Sequence, residues 1–187
     1  MRPGSVIVAL LAAATPPYPP TPIGRGPEFL PPAAPAAVRR GLPVADLHCT
    51  TGGRRFGIHL EVFARGRVVV VPSGIGVAVP FGRKGAYIVP RGCTYPLRTL
   101  APTGVVEVAR DKKLTLGDLF AVWGQPLGPT RLASFTTSAR RPVRAYVGGR
   151  RWRGTPTGIP LRRHAQIVLQ VGMYIRPHPR FLFPPGL

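Results

Sequence analysis

The chain has 187 residues, enough for one ordinary domain with a buried core, but its 25 prolines and 23 glycines, about a quarter of all residues, assign much of it to loops and spacers. Its 26 Lys and Arg against 6 Asp and Glu give a formal net charge of +20. Only Lys84, Lys112 and Lys113 are lysines, so the charge is carried almost wholly by arginine. Six acids leave little material for acid–base catalysis, and no GxSxG, HExxH, Walker A or GxGxxG pattern occurs.

In chain order, "MRPGSVIVALLAAATPP" combines a basic start, nine apolar or small residues from Val6 to Ala14, and an Ala-x-Ala match before Thr15. This layout predicts a secretory signal peptide over 1–14; the run is too short to span a bilayer. No cysteine follows it, which argues against a lipid anchor there. Residues 15–43, rich in Pro and Ala and without periodicity, read as an extended spacer. A single folded domain over 44–187, ending in a Pro-rich tail, is expected to follow.

Within that domain Ile58, Leu60, Val62 and Ala64 alternate with His59, Glu61, Phe63 and Arg65, the signal of a half-buried strand. "ARGR" supplies a turn and "VVVVP" a returning strand. "GVVEV", 104–108, is a further strand. The period then changes: Leu116, Leu119, Phe120 and Trp123 fall at helical spacing. Thr115 and Asp118 form a variant capping box, and Gly124 with Pro126 ends the helix. "RPVRAYVGGRRWRG" is a second hairpin turning at Gly148-Gly149, and "HAQIVLQVG" a closing strand. Leu60, Phe63, Gly66, Arg67 and "PSGI" echo Val143, Tyr146, Gly149, Arg150 and "PTGI" with one inserted residue. Two similar hairpin units sharing a core, or recurring hairpin chemistry, would each explain the echo. The expected fold is α+β, mostly antiparallel β-hairpins with one short helix and a β-grasp-like C-terminal half.

Cys49 and Cys93 are the two cysteines. In an oxidising compartment an even pair reads first as a disulfide, with two buried thiols as the alternative. Such a bridge would contribute about 3–4 kcal/mol through loop entropy. The segment Gly148–Gly154 sets Arg150, Arg151 and Arg153 around Trp152. Cations beside a stacking ring suit a polyanion such as nucleic acid or acidic cell-wall glycan. A tryptophan packed on its neighbours amid solvated arginines is the alternative reading, just as a GC-rich genome would scatter arginine without a polyanion to meet.

The order and spacing of "IHLEVFARGR", "VPSGIGV", "GCTYPL", "GVVEV", "LTLGDLFAVWGQPL", "VRAYVGGR", "IPLRRHAQIVLQVG" and "FPPGL" resemble a family of uncharacterised secreted proteins, mainly actinobacterial. The likeness covers most of 47–187. Members of that family carry an HxHxHL run, a Cys followed by an HTHD-like run, and a later strand histidine. Histidines at i, i+2 and i+4 of a strand share one face, so the pattern implies a zinc or copper site. This chain has Arg55, Gly57 and His59 at the first run, Arg98, Leu100 and Ala101 at the second, and Glu107 at the last. Arginine is no ordinary metal ligand. The resemblance therefore leaves His59, Glu61 and Glu107 as a residual metal set. No cofactor is expected. The functional expectation is a non-enzymatic binding or structural module, secreted or surface-exposed, without membrane insertion after signal cleavage. Its expected partner is an anionic polymer, met through Arg150, Arg151, Trp152 and Arg153; metal binding is the alternative.

Overall fold

The computed structural model describes residues 34–187. The expected signal peptide and most of the expected spacer lie outside the described residues. The chain forms α1 (Ala36–Arg39), β1 (Arg55–Ala64), β2 (Arg67–Val69), β3 (Phe81–Lys84), β4 (Tyr87–Pro90), β5 (Leu97–Arg98) and β6 (Val105–Ala109). There follow α2 (Leu116–Trp123), β7 (Leu127–Gly128), β8 (Arg131–Leu132), β9 (Phe135–Thr136), β10 (Arg144–Val147), β11 (Arg150–Arg151) and β12 (Gln166–Val171). A seven-stranded sheet runs β11-β10-β12-β1-β6-β5, with β2 also on β1. The class is α+β, mostly antiparallel, as expected.

The closing strand β12 is internal to the sheet. It lies between β10 and β1, and pairs with β1 in parallel from His59↔Gln166 to Ala64↔Val171. β1 is buried on both faces instead of half-buried, by the principal core on one face and by tail residues such as His178 and Phe181 on the other. Its polar residues are therefore interior groups.

The principal core fills the face carrying Ile58, Leu60, Val62, Val106, Val108, Ile167 and Leu169, against Leu116, Leu119, Phe120 and Trp123 of α2. α2 starts on a complete capping box. Thr115 Oγ1 accepts from Asp118 N–H at 3.4 Å, and Asp118 Oδ2 accepts from Thr115 N–H at 2.8 Å. It stops at Gly124, whose φ of 71° needs no side chain. The nominal spacer also contributes: Val38 of α1 is fully buried in this core, so residues 36–39 are part of the folded unit. Cys49 and Cys93 form a disulfide with Cα atoms 5.4 Å apart.

The opposite face carries Gly57, His59, Glu61, Phe63, Gln166, Val168 and Gln170, the alternate residues of β1 and β12. Residues 172–187 lie across this face without joining a strand. Phe181 stacks on His59 at 3.7 Å between centroids, Phe183 on His164 at 4.6 Å, and Tyr174 meets Tyr146 edge-on at 6.3 Å. Gln170 clasps the backbone of Ile175 through both its amide oxygen and nitrogen. The echo between the two hairpins has a physical counterpart here, since Phe63 and Tyr146 pack together with Val168.

Candidate functional site: an arginine edge and a polar sheet face

Gly148 and Gly149, at φ 56° and 77°, make the tight turn of the β10–β11 hairpin. Two successive positive φ values define the primed turn whose twist matches paired strands. The turn sets Arg150 opposite Val147 and Arg151 opposite Tyr146. β11 is the outer strand of the sheet, and Arg150, Arg151 and Arg153 are all exposed. The Arg151 guanidinium sits 5.5 Å above the Tyr146 ring, which holds its charge at the surface without neutralising it. Trp152 behaves differently. It is half-buried, packs against the principal core, and its Nε1–H donates to Thr155 O at 3.1 Å. None of the described residues lining the groove at Arg151, Trp152 and Arg153 is acidic.

The residues expected to hold a metal share one sheet face but are engaged separately. His59 is 3 % exposed, with Nδ1 2.8 Å from the Gln166 side-chain amide and Nε2 3.0 Å from Thr103 O. Burial pushes its ring below the ordinary histidine range, so the neutral form is favoured. Nδ1 faces the Gln166 side-chain oxygen Oε1 and Nε2 faces the Thr103 carbonyl oxygen. Both nitrogens are then committed to protein partners. Glu107 pairs instead with Arg98, Oε2 lying 2.6 Å from Nη2 and 2.8 Å from Nε. Glu61 Oε1 is 2.9 Å from Nδ1 of His178, a tail residue that sequence reasoning did not single out. Among the described residues no group of three or more His, Cys, Asp or Glu is placed to hold a metal ion.

The positions that the resemblance assigns to strand histidines do converge. Arg55, Gly57 and His59 lie on the same face of β1 by alternation, and Arg98 and Glu107 face them from β5 and β6. Arg55 donates through Nη2 to Thr94 Oγ1 at 3.0 Å and through Nη1 to Pro96 O at 3.1 Å, while Arg98 Nη1 reaches the same Thr94 oxygen at 3.4 Å. Burial, then the neighbouring Arg98, lowers Arg55 to about 10, still cationic at neutral pH. Charge-assisted hydrogen bonds therefore tie these side chains into a structural network.

Sequence reasoning missed the tail residues His178 and Phe181. One signal did point toward them. Gly57 is a glycine inside an otherwise apolar strand, a usual mark of close backbone approach. A Cβ there would stand 2.7 Å from the Phe183 ring. No family model, curated protein or solved structure matches the chain.

Proposed function

We propose that the protein is a non-enzymatic binding module, secreted or exposed at the cell surface, that holds anionic polymers along its β10–β11 edge. What carries the reading is the exposure of Arg150, Arg151 and Arg153 beside a groove whose described lining contains no acid. Phosphate, sulfate or uronate groups along a glycan or nucleic acid meet the guanidinium forks, and the exposed part of Trp152 takes a sugar or base face. The disulfide accords with an oxidising compartment, and no helix among the described residues is long and apolar enough to cross a membrane.

A chain of charge +20 attracts any polyanion through its overall field, so the test separates local from global charge. Heparin and single-stranded DNA serve as probes. The triple variant Arg150→Ser/Arg151→Ser/Arg153→Ser loses the same charge as Arg39→Ser/Arg40→Ser/Arg54→Ser, which alters exposed arginines elsewhere. The hairpin variant is expected to bind either probe at least tenfold more weakly than the control triple. Equal weakening of the two variants would reduce the interaction to net charge.

A further inference from the structure

The sheet face beneath the tail encloses a cavity of about 400 Å³, at the small end of ligand-pocket sizes. It lies where β1 is left between two partners. β6 pairs β1 from Arg55 to His59 and β2 from Val62 to Ala64, so the stretch around Leu60 and Glu61 opens onto the gap between the β6 and β2 edges. Val62, Phe63, Val68, Val70, Pro102 and Leu182 give it largely apolar walls. The tail segment 178–182 forms its roof, held by His178 on Glu61 and by Phe181 on His59.

One polar group in this cavity is unsatisfied. Gln166 is 2 % exposed, its side chain touches His59 Nδ1 through one amide atom, and the other amide atom has no partner among the described residues. A buried amide group left without a hydrogen bond costs stability, and native proteins rarely carry one without a purpose. The titratable lining is of mixed sign, with Glu61 set against Arg180 and His178, so neither an anionic nor a cationic guest meets a one-signed wall. A hydroxyl satisfies either orientation of the Gln166 amide, since it both donates and accepts.

We infer that this cavity is a binding site for a small uncharged apolar molecule bearing a hydroxyl head, which sets its hydroxyl against Gln166 and its chain against the valine wall under the 178–182 roof. The site is separate from the arginine edge and stands or falls independently of it.

The probes are 1-octanol, octylammonium and octanoate, titrated into the full chain with amide chemical shifts as readout. 1-Octanol is expected to bind more tightly than either charged analogue and to shift residues around 59–63, 68–71, 166 and 178–182. Val70→Trp, which fills the cavity from a half-buried position, is expected to weaken octanol binding at least tenfold while amide chemical shifts away from the cavity stay unchanged. Gln166→Leu, which keeps the cavity but removes the amide, is the second variant and is expected to lower octanol affinity about tenfold. Tighter binding of either charged analogue, no binding of any probe, or octanol affinity unchanged in a folded Val70→Trp or in Gln166→Leu would overturn the assignment.

Discussion

His59 shows how one buried ring translates position into pH behaviour. Its folded-state proton affinity lies below that of the unfolded chain, mainly because burial penalises the imidazolium, against opposing help from Gln166, Glu61 and Thr103. Between the ordinary value near 6.5 and the lower folded value, the unfolded chain binds more protons than the folded one. Stability is therefore full above about pH 6.5 and declines as pH falls through that window, with a slope of at most about 1.4 kcal/mol per pH unit from this group. Denaturant unfolding from pH 7 to pH 5 is expected to show a shallower pH slope for His59→Gln than for the parent chain. An identical slope would mean that the ring takes up protons equally in the folded and unfolded states. The neighbouring titratable groups, Glu61 and His178, remain in both proteins, so the difference isolates His59. Which residues faced inward on β1 was legible from alternation. That both alternating sets would be buried was not, because burial of the second set depends on a tail more than a hundred residues away in sequence.

At the scale of elements, local signals were the readable ones. The Thr115–Asp118 box, the Gly124 stop and the Gly148-Gly149 turn each depend on two to four adjacent residues, and each stands where the sequence pattern set it. The central place and parallel pairing of β12 arise from contacts between residues about 107 positions apart, such as His59 with Gln166, and no local pattern encodes them. The short pairs β3–β4 and β7–β8–β9, two to four residues per strand, carry too few alternations to be distinguished from loop. The tail is the most consequential such element. It lacks periodicity because proline and aromatic side chains, rather than backbone pairing, fix it to the sheet. Gly57→Ala tests that attachment. The added methyl meets the Phe183 ring and is expected to free the end of the tail while the sheet and α2 stay folded. Limited proteolysis should cut this variant C-terminal to residue 172 several-fold faster than the parent. Equal cleavage rates would mean that Phe183 relaxes around the methyl without releasing the segment.

On the scale of the whole molecule, two long-range constraints act together. The Cys49–Cys93 bridge closes a loop of 44 residues in sequence separation, and loop entropy assigns it about 4 kcal/mol, much of the stability of an ordinary domain. A folded Cys49→Ser/Cys93→Ser variant is expected to lose about that much in denaturant unfolding; a loss under about 1 kcal/mol would show that the segment is held by packing alone. The second constraint is charge. With few acids available, and with Glu107 and Asp118 engaged by Arg98 and the α2 start, little negative charge remains to offset the arginines of the β10–β11 edge. The sequence made the excess of charge plain, but only the fold separates exposed Arg150, Arg151 and Arg153 from interior Arg55, which serves the sheet. The most direct measurement is heparin affinity against salt concentration for the parent chain, the hairpin triple and the control triple. Each phosphate- or sulfate-contacting arginine contributes about 0.7–0.9 to the slope of log K on log salt. The hairpin triple is predicted to flatten the slope by about 2, and the control triple by well under 1. Equal slopes in the two variants would contradict a binding edge at Arg150–Arg153.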